Sequence, residues 1–409
     1  VSDAPWLSVV GIGEEGLPGL APAARALVDA AEVLVGGDRH LAMLPPDARE
    51  RLVWPSPLSA LIGAIAERRG RRVCVLATGD PMHFGVGVTL ARRFARDEMT
   101  IVPGVSAFSL AAARLGWPLA EVACLTLHGR PLELILPELQ PGRRILALSH
   151  DGGTPAAVAA LLRRHGWGPS RLVALAHMDG PEEVRVEATA AGWTANAVPD
   201  FNTLAIELQA MAQARPLPVV PGLPDDAFRH DGKLTKRAVR AATLAMLAPG
   251  PGQVLWDVGA GCGSVAIEWL RASPGGRALA IEPVAERRAM IADNALALGT
   301  PQLEVVDGRA PAVLETLPAP DAVFVGGGIT APGTMEACWQ ALGPGGRLVA
   351  NVVTLQGEAE VLAWHGRLGG DLSRIAVSRA EPVGPFEGWK HQMTVTQLAA
   401  TKPWPDTGA

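Results

Sequence analysis

A chain of 409 residues, at roughly 150 residues per domain, is too long for a single compact core and leans toward two domains, at most three. With 48% hydrophobic and 19% charged residues it can bury the area a fold needs, which excludes a disordered or collagen-like chain. Lys and Arg number 36 against 41 Asp and Glu, giving −5, so the chain as a whole is a poor partner for nucleic acid, although a local basic cluster stays open.

Cys74, Cys124, Cys262 and Cys338 stand far apart, with no CxxC pair and no Cys/His cluster at zinc spacing. That points to reduced thiols and no metal site. The N-terminal VSDAPW lacks a basic segment followed by an apolar run, and the apolar stretch 105–127 is broken by Arg114, Pro118 and Glu121. The expectation is a cytoplasmic protein with neither leader nor membrane span.

Short β-branched runs alternate with alanine-rich stretches from end to end, the pattern of an α/β chain. In the N-terminal part strands are expected at 7–12, 32–35, 73–77, 100–102, 124–127, 145–149 and 172–176. Two more, at 184–188 and 203–208, are expected to be antiparallel because no helix flanks them. This many strands in about two hundred residues suits two subdomains. The stretch 214–225 then carries four prolines and a glycine, an extended connection. The division is therefore 1–213, a linker at 214–224, and 225–409. In the last part a helix at 235–247 precedes strand 254–258, helix 264–271, strand 278–281, helix 285–298 and strand 304–306. Strands at 322–325, 347–353, 373–378 and 393–397 complete one doubly wound sheet.

The first glycine loop, Gly11-Ile-Gly13-Glu-Glu-Gly16, matches GxGxxG by letter. A dinucleotide site would start a helix at once, whereas Leu17-Pro-Gly-Leu-Ala-Pro22 follows and the second strand starts rather than ends with Glu32. A nicotinamide site is rejected. Gly79-Asp80-Pro81 with Phe84-Gly85, then Pro103-Gly-Val-Ser106-Ala107, and Gly36-Gly37 each end a strand in small residues that let backbone approach a ligand. Alone, Asp80 reads as a turn residue before proline. Together, over about residues 7–210, these loops resemble the GDP…(Y/F)G and PGVSS signatures of the tetrapyrrole methylases, CbiE-like members in particular. The resemblance implies a two-subdomain class III methyltransferase fold. Gly79, Asp80, Ser106 and Ala107 would support the cofactor, and Gly11, Gly13 and Asp38 would border the substrate cleft.

In the last part, Val254-Leu-Trp-Asp257-Val runs into Gly259-Ala260-Gly261-Cys262-Gly263, and a helix opens at Ser264. Alternate glycines permit tight turning, and the helix start offers free N–H groups. Glu282 at the tip of the next strand suits a ribose diol. GxGxG spacing lacks the pyrophosphate cradle of GxGxxG, and Asp257 is placed to orient an amine, which favours S-adenosylmethionine. The third signal is Asp307-Gly308-Arg-Ala310 after the following strand, and by resemblance to class I methyltransferases Gly308 and Ala310 would bracket the adenine. These signals resemble a Rossmann-like, doubly wound class I methyltransferase.

Pro224-Asp-Asp-Ala-Phe-Arg-His-Asp-Gly-Lys-Leu-Thr-Lys-Arg-Ala-Val-Arg240 resembles the PDxxF…TKxEVR opening of the decarboxylating precorrin methyltransferases, the CbiT family. Ala238 replaces its Glu, removing a capping-box partner for Thr235, and Cys262 replaces its Thr. By the resemblance Thr235 lies against the cofactor; read locally, it is a helix N-cap.

The fusion of the two parts resembles the bifunctional precorrin-6Y C5,15-methyltransferases (decarboxylating) of cobalamin biosynthesis. That implies methyl transfer to carbons 5 and 15 of a reduced tetrapyrrole and loss of carbon dioxide from the carbon-12 acetate. The N-terminal part would serve carbon 5, the C-terminal part carbon 15 and decarboxylation. A bridge carbon conjugated to pyrrole nitrogens is an enamine-like nucleophile, so attack needs positioning more than a strong base. Substrate carboxylates need cations, and the candidates are Arg229, His230, Lys233, Lys236, Arg237, Arg240, Arg309 and Lys390-His391, each of which also reads as solvated surface. Of these, Arg229, Lys236 and Arg240 are favoured as substrate contacts. Asn351 and Arg309 are the candidates at the reacting centre, and Gly326-Gly-Gly328 leaves room for a flat macrocycle. A homo-oligomer without nucleic-acid or membrane partners is expected. The alternative is a class I methyltransferase for RNA or protein with a non-catalytic, tetrapyrrole-binding N-terminal domain; no basic stretch interleaved with aromatics supports it.

Overall fold

The computed structural model describes residues 5–54, 59–194 and 198–405, so residues 1–4, on which the leader reading partly rests, lie outside it. Two compact units are present: residues 1–132 with 140–215, and residues 133–139 with 216–409.

The first unit opens with strands β1 (Leu7–Ile12), β2 (Val33–Gly36), β3 (Glu50–Val53), β4 (Val73–Thr78) and β5 (Met99–Val102). They form a parallel sheet in the order β3-β2-β4-β1-β5. Strand β1 is buried along its whole length. Its alternate residues divide between two apolar clusters, Leu7 and Val9 with Val33 and Val75 on one face, Val10 and Ile12 with Leu34 and Leu76 on the other. This is the pattern of a sheet covered on both sides. Strand β3 was not expected, because Glu-Arg-Leu-Val lacks an apolar run; Glu50 instead pairs with Arg68 and Arg71 at the sheet edge.

A second sheet follows, with β6 (Val122–Thr126), β7 (Arg144–Leu148), β8 (Arg171–Ala176), β9 (Val184–Thr189) and β10 (Asn202–Glu207) in the order β6-β7-β10-β8-β9. The two late strands are antiparallel as expected, but they flank β8 rather than pairing with each other.

In the second unit β11 (Val254–Val258), β12 (Arg277–Glu282), β13 (Glu304–Asp307), β14 (Ala322–Val325), β15 (Arg347–Val352) and β16 (Asp371–Ile375) are joined, after a hairpin of β17 (Ser378–Val383) and β18 (Phe386–His391), by β19 (Val395–Thr401). The order β13-β12-β11-β14-β15-β19-β16 is doubly wound, and β19 runs antiparallel to both neighbours. The run expected as one strand at 373–378 divides between β16 and β17. The hairpin stands apart from the large sheet as its own two-stranded sheet, and its strand residues are mostly exposed, so it carries no buried-face signal.

The helix Arg237–Leu247 begins two residues later than expected, capped by Lys236 with no side-chain hydrogen bond, so Thr235 is not its N-cap. It carries Arg240 into the core at 0% exposure. The guanidinium donates to Glu268 Oε1 at 2.6 Å, pairs with Asp225, bonds the carbonyls of Leu223 and Thr235, and lies 4.7 Å from the Phe228 ring centroid. Glu268 in turn accepts from the backbone N–H groups of Gly222 and Leu223 at 2.6 and 2.9 Å. This corrects the substrate role expected of Arg240: its guanidinium is committed to tying the proline-rich segment to the helix Ser264–Ala272 that carries Glu268. Removing one partner of such a pair strands the other charge in the interior. Arg240→Met is expected to lower the stability of the second unit by about 3 to 5 kcal/mol, measured as a shift in its denaturant unfolding midpoint.

Candidate active sites

The first unit holds a cavity of about 680 Å³ whose lining includes the loops that follow β1, β2, β4 and β5 and residues of the second sheet. Gly13, Asp38, Gly79, Asp80, Ser106 and Ala107, separated by up to ninety-odd positions in the chain, all reach it. Gly11 does not. It is buried in β1, and a Cβ there would collide with the carbonyl oxygen of Gly79 and the amide of Gly104. Its expected place at the substrate cleft is corrected: Gly11 is the spacer over which two loops cross. Those loops are tied by Gly79 N–H to Ile12 O at 3.1 Å and Gly104 N–H to Gly79 O at 3.0 Å. Gly79 itself sits at φ 56°, where a Cβ would also lie 2.8 Å from Val105 O. Asp80 Oδ1 accepts from Met82 N–H at 2.8 Å, and Ser106 Oγ from Ser109 N–H at 3.1 Å as the cap of helix Ala107–Leu115. Both side chains shape their loops.

A polar cluster that sequence reasoning missed lines the same cavity. Glu14 bridges Arg39 and His177, with His177 Nδ1 at 2.9 Å from Glu14 Oε2. Arg39 also donates to Thr78 Oγ1 at 3.0 Å and lies 4.1 Å from the Phe201 ring centroid. His40 Nε2 is 2.9 Å from the same hydroxyl, and burial, reinforced by the Arg39 charge, pulls the His40 pKa down to about 4, so its ring is neutral at pH 7. Burial also lowers the pKa of Arg39 from its usual value. Gly36-Gly37 was legible as a strand end, but Arg39 and His40 lie in the short helix Asp38–Ala42 that follows it. Their partners Glu14 and Thr78 lie too far along the chain for any local pattern to connect them.

In the second unit, Gly259, Gly261 and Gly263 after β11 adopt φ of 74°, 61° and 79°. Such a left-handed path is closed to most side chains. A Cβ on Gly259 would lie 2.7 Å from Gly327 Cα, so this loop and the glycine run after β14 meet backbone to backbone. Glu282 at the tip of β12 is 2% exposed and accepts from Gly261 N–H and Val284 N–H, both at 3.0 Å. Each of its oxygens keeps a free lone pair. Asp257 is fully buried at the root of the loop; Oδ2 accepts from Ala266 N–H at 3.1 Å, while Oδ1 has no partner among the described residues. Desolvation raises its pKa to about 7 against the opposing pull of the Ala266 hydrogen bond, with a smaller upward push from the charge of Glu282. An orphan acceptor beside a glycine cradle is the arrangement a ligand with a donor group completes.

The remaining expected positions divide. Ala260 lies in the loop, and Gly308 packs so closely that a Cβ would meet Val313 at 2.9 Å; Ala310 is buried two residues on. The Cys262 side chain is buried in the apolar core at 3% exposure, so what this loop residue offers a ligand is its main chain. Asn351 is corrected too: it donates to Thr243 at 2.7 Å and accepts from Gln397 at 2.9 Å, a bracket between helix and sheet. Thr235 is half-buried, and Arg309 is exposed with no ion pair among the described residues. Lys233, Lys236 and Arg237 likewise carry none, whereas exposed Arg229 pairs with Asp293 at 2.8 Å. Lys390 and His391 belong to the hairpin, held by Glu381 and Ser378.

A family model for tetrapyrrole (corrin/porphyrin) methylases matches residues 7–193, and one for precorrin methyltransferase domains matches residues 226–402. A precorrin-6Y C(5,15)-methyltransferase (decarboxylating) of Sinorhizobium sp is 48% identical over 402 residues, 97% of each chain. Its counterpart from Mycobacterium tuberculosis is 40% identical over 397 residues, 96% of this chain and 99% of that one. The chain belongs to the precorrin-6Y C(5,15)-methyltransferase family. A solved C-terminal domain of a family member from Rhodobacter capsulatus is 45% identical, covering 46% of this chain and 100% of that one at a TM-score of 0.43. The fold class is the expected one, a tetrapyrrole methylase fold followed by a Rossmann-like class I fold.

Because the Asp257 pKa is raised on folding, its contribution favours the folded state below the ordinary carboxylate range and is lost as pH rises through about 7. The stability of the unliganded chain relative to Asp257→Asn is therefore expected to fall between pH 4 and pH 7, measured from denaturation midpoints; a constant difference would contradict the assignment.

Proposed function

We propose that the chain carries out two S-adenosylmethionine-dependent methylations of a precorrin of the 6Y type, at carbons 5 and 15, with decarboxylation of the carbon-12 acetate, in cobalamin biosynthesis. The observation that carries this reading is the pair of separate glycine-built strand-end sites on one chain, each in a unit matched by a methyltransferase family model. We assign carbon 5 to residues 1–213, a linker to 214–224, and carbon 15 with decarboxylation to 225–409. Four free cysteines accord with a reducing cytoplasm.

S-adenosylmethionine fits the residues present. In the second unit Gly259–Gly263 would cradle it, Glu282 would hold the ribose hydroxyls, Asp257 would take the amine, and Gly308 and Ala310 would border the adenine. In the first unit the main chain at Gly79, Asp80, Ser106 and Ala107 would support it, with Gly13 and Asp38 on the substrate side. When bound, it supplies an electrophilic methyl group. The protein aligns an already nucleophilic bridge carbon with that methyl and excludes water. Decarboxylation leaves an electron pair that the conjugated macrocycle accepts, so the reacting acetate should stay clear of a tight cation, since a paired carboxylate is a stabilised ground state. Lys233, Lys236, Arg237 and Arg309, unpaired among the described residues, are suited to the other carboxylates.

The test supplies the full chain with methyl-labelled donor and a precorrin-6-type substrate. Two labelled methyl groups and one carbon dioxide per macrocycle are expected. Gly259→Val should cut carbon dioxide release by more than about 100-fold while carbon-5 methylation persists, and Gly79→Val should do the reverse. Carbon dioxide release that survives Gly259→Val but not Gly79→Val would overturn the assignment.

A further inference from the structure

We propose that His177 is the proton acceptor for carbon-5 methylation and that Glu14 positions it, an inference that rests on the reading of the first unit given above. The chemistry demands an acceptor. When the bridge carbon bonds to the donor methyl, the carbon–sulfur bond breaks with its pair on sulfur, and the macrocycle is left with one positive charge. That charge is discharged when the N–H bond of the conjugated pyrrole breaks, its electron pair staying on nitrogen as the ring becomes an imine. No strong base is needed for the attack, but the proton needs somewhere to go.

Several histidines line the cavity, and their surroundings separate them. His40 is buried, crowded by Arg39 and Thr78, and held neutral down to about pH 4, so it is a poor acceptor. His83 packs in a triangle of rings with Phe84 and Phe108, at centroid distances of 5.1 and 4.6 Å. His128 and His150 lie at exposed positions 5.2 Å apart, and His150 Nδ1 accepts from Gly129 N–H. None of these rings is hydrogen-bonded to a carboxylate among the described residues. His177 is: Nδ1 meets Glu14 Oε2 at 2.9 Å, which selects the Nδ1–H tautomer and leaves the Nε2 lone pair without a partner among the described residues. Glu14 then faces the ring as it takes up the proton, while Arg39 on its other oxygen holds the carboxylate in place. The backbone adds a second sign of a defined role. His177 is a non-glycine residue at φ 49°, anchored by its N–H to Phe201 O at 3.2 Å and by Gly180 N–H to its carbonyl at 2.9 Å. Strained positions of this kind persist where the surroundings over-determine them.

The decisive variant is His177→Asn in the full chain. Asn tolerates a positive φ and its amide still donates to Glu14, but nothing replaces Nε2. The expected result is a fall in kcat for carbon-5 methylation of about 100-fold or more with KM within about threefold, and carbon dioxide release retained. In His177→Gly, added imidazole should restore carbon-5 methylation in proportion to its concentration. Nitrogen NMR of the labelled wild type should report the Nδ1–H tautomer at His177, and Glu14→Gln should shift it toward a mixture without raising KM. A His177→Asn rate within about twofold of wild type, a change confined to KM, loss of both activities together, or an Nε2–H tautomer would each overturn the proposal. Absence of carbon-5 methylation by the wild-type chain would instead overturn the reading beneath it.

Discussion

Both sites depend on main chain approaching main chain more closely than any side chain allows. In the first unit Gly11 lets the loops carrying Gly79 and Gly104 cross over β1; in the second, Gly259 lets the loop after β11 rest on Gly327. The consequence is the same in each. Strand ends that would be separated by a layer of side chains converge main chain to main chain. A Cβ at the crossing points would push the strand-end loops apart, so the glycine pattern is a statement about shape before it is one about chemistry.

The electrostatics follow from which charges the fold has already used. Arg240, Glu268 and Asp225 are consumed in holding the proline-rich segment, and Arg39 and Glu14 in holding a histidine. What remains for a polycarboxylate substrate is the set of cations without ion pairs, and it sits in a chain whose net charge is −5. That negative balance therefore describes the whole surface rather than the sites. Asp257 shows the converse: a carboxyl buried with one oxygen unpartnered among the described residues costs the fold stability unless a donor meets it.

Most of the sheet architecture was legible because buried parallel strands are continuous apolar runs, as in Leu7–Ile12 and Val254–Val258. The glycine loops were legible because their spacing is a local pattern. Strand Glu50–Val53 was not, since only Leu52 packs on the core and the rest of its signal is an edge ladder with ion pairs, nor was the hairpin, whose residues bury little. Arg240 was misread because a basic residue near a binding motif gives no local sign that a carboxylate 28 positions away will bury it. Asn351 was misread for a related reason: position at a strand end says which residue is near a site, not which way its side chain points. Glu14 and His177, 163 positions apart, meet only through the fold.

The central claim is that one chain contains two independent methyl-donor sites, each built on its own glycine crossing. Equilibrium binding of labelled S-adenosylmethionine to the intact chain, read as moles bound per mole of protein at saturation, tests it most directly. Two moles bound per mole of chain are expected; saturation at one would contradict two separate donor sites.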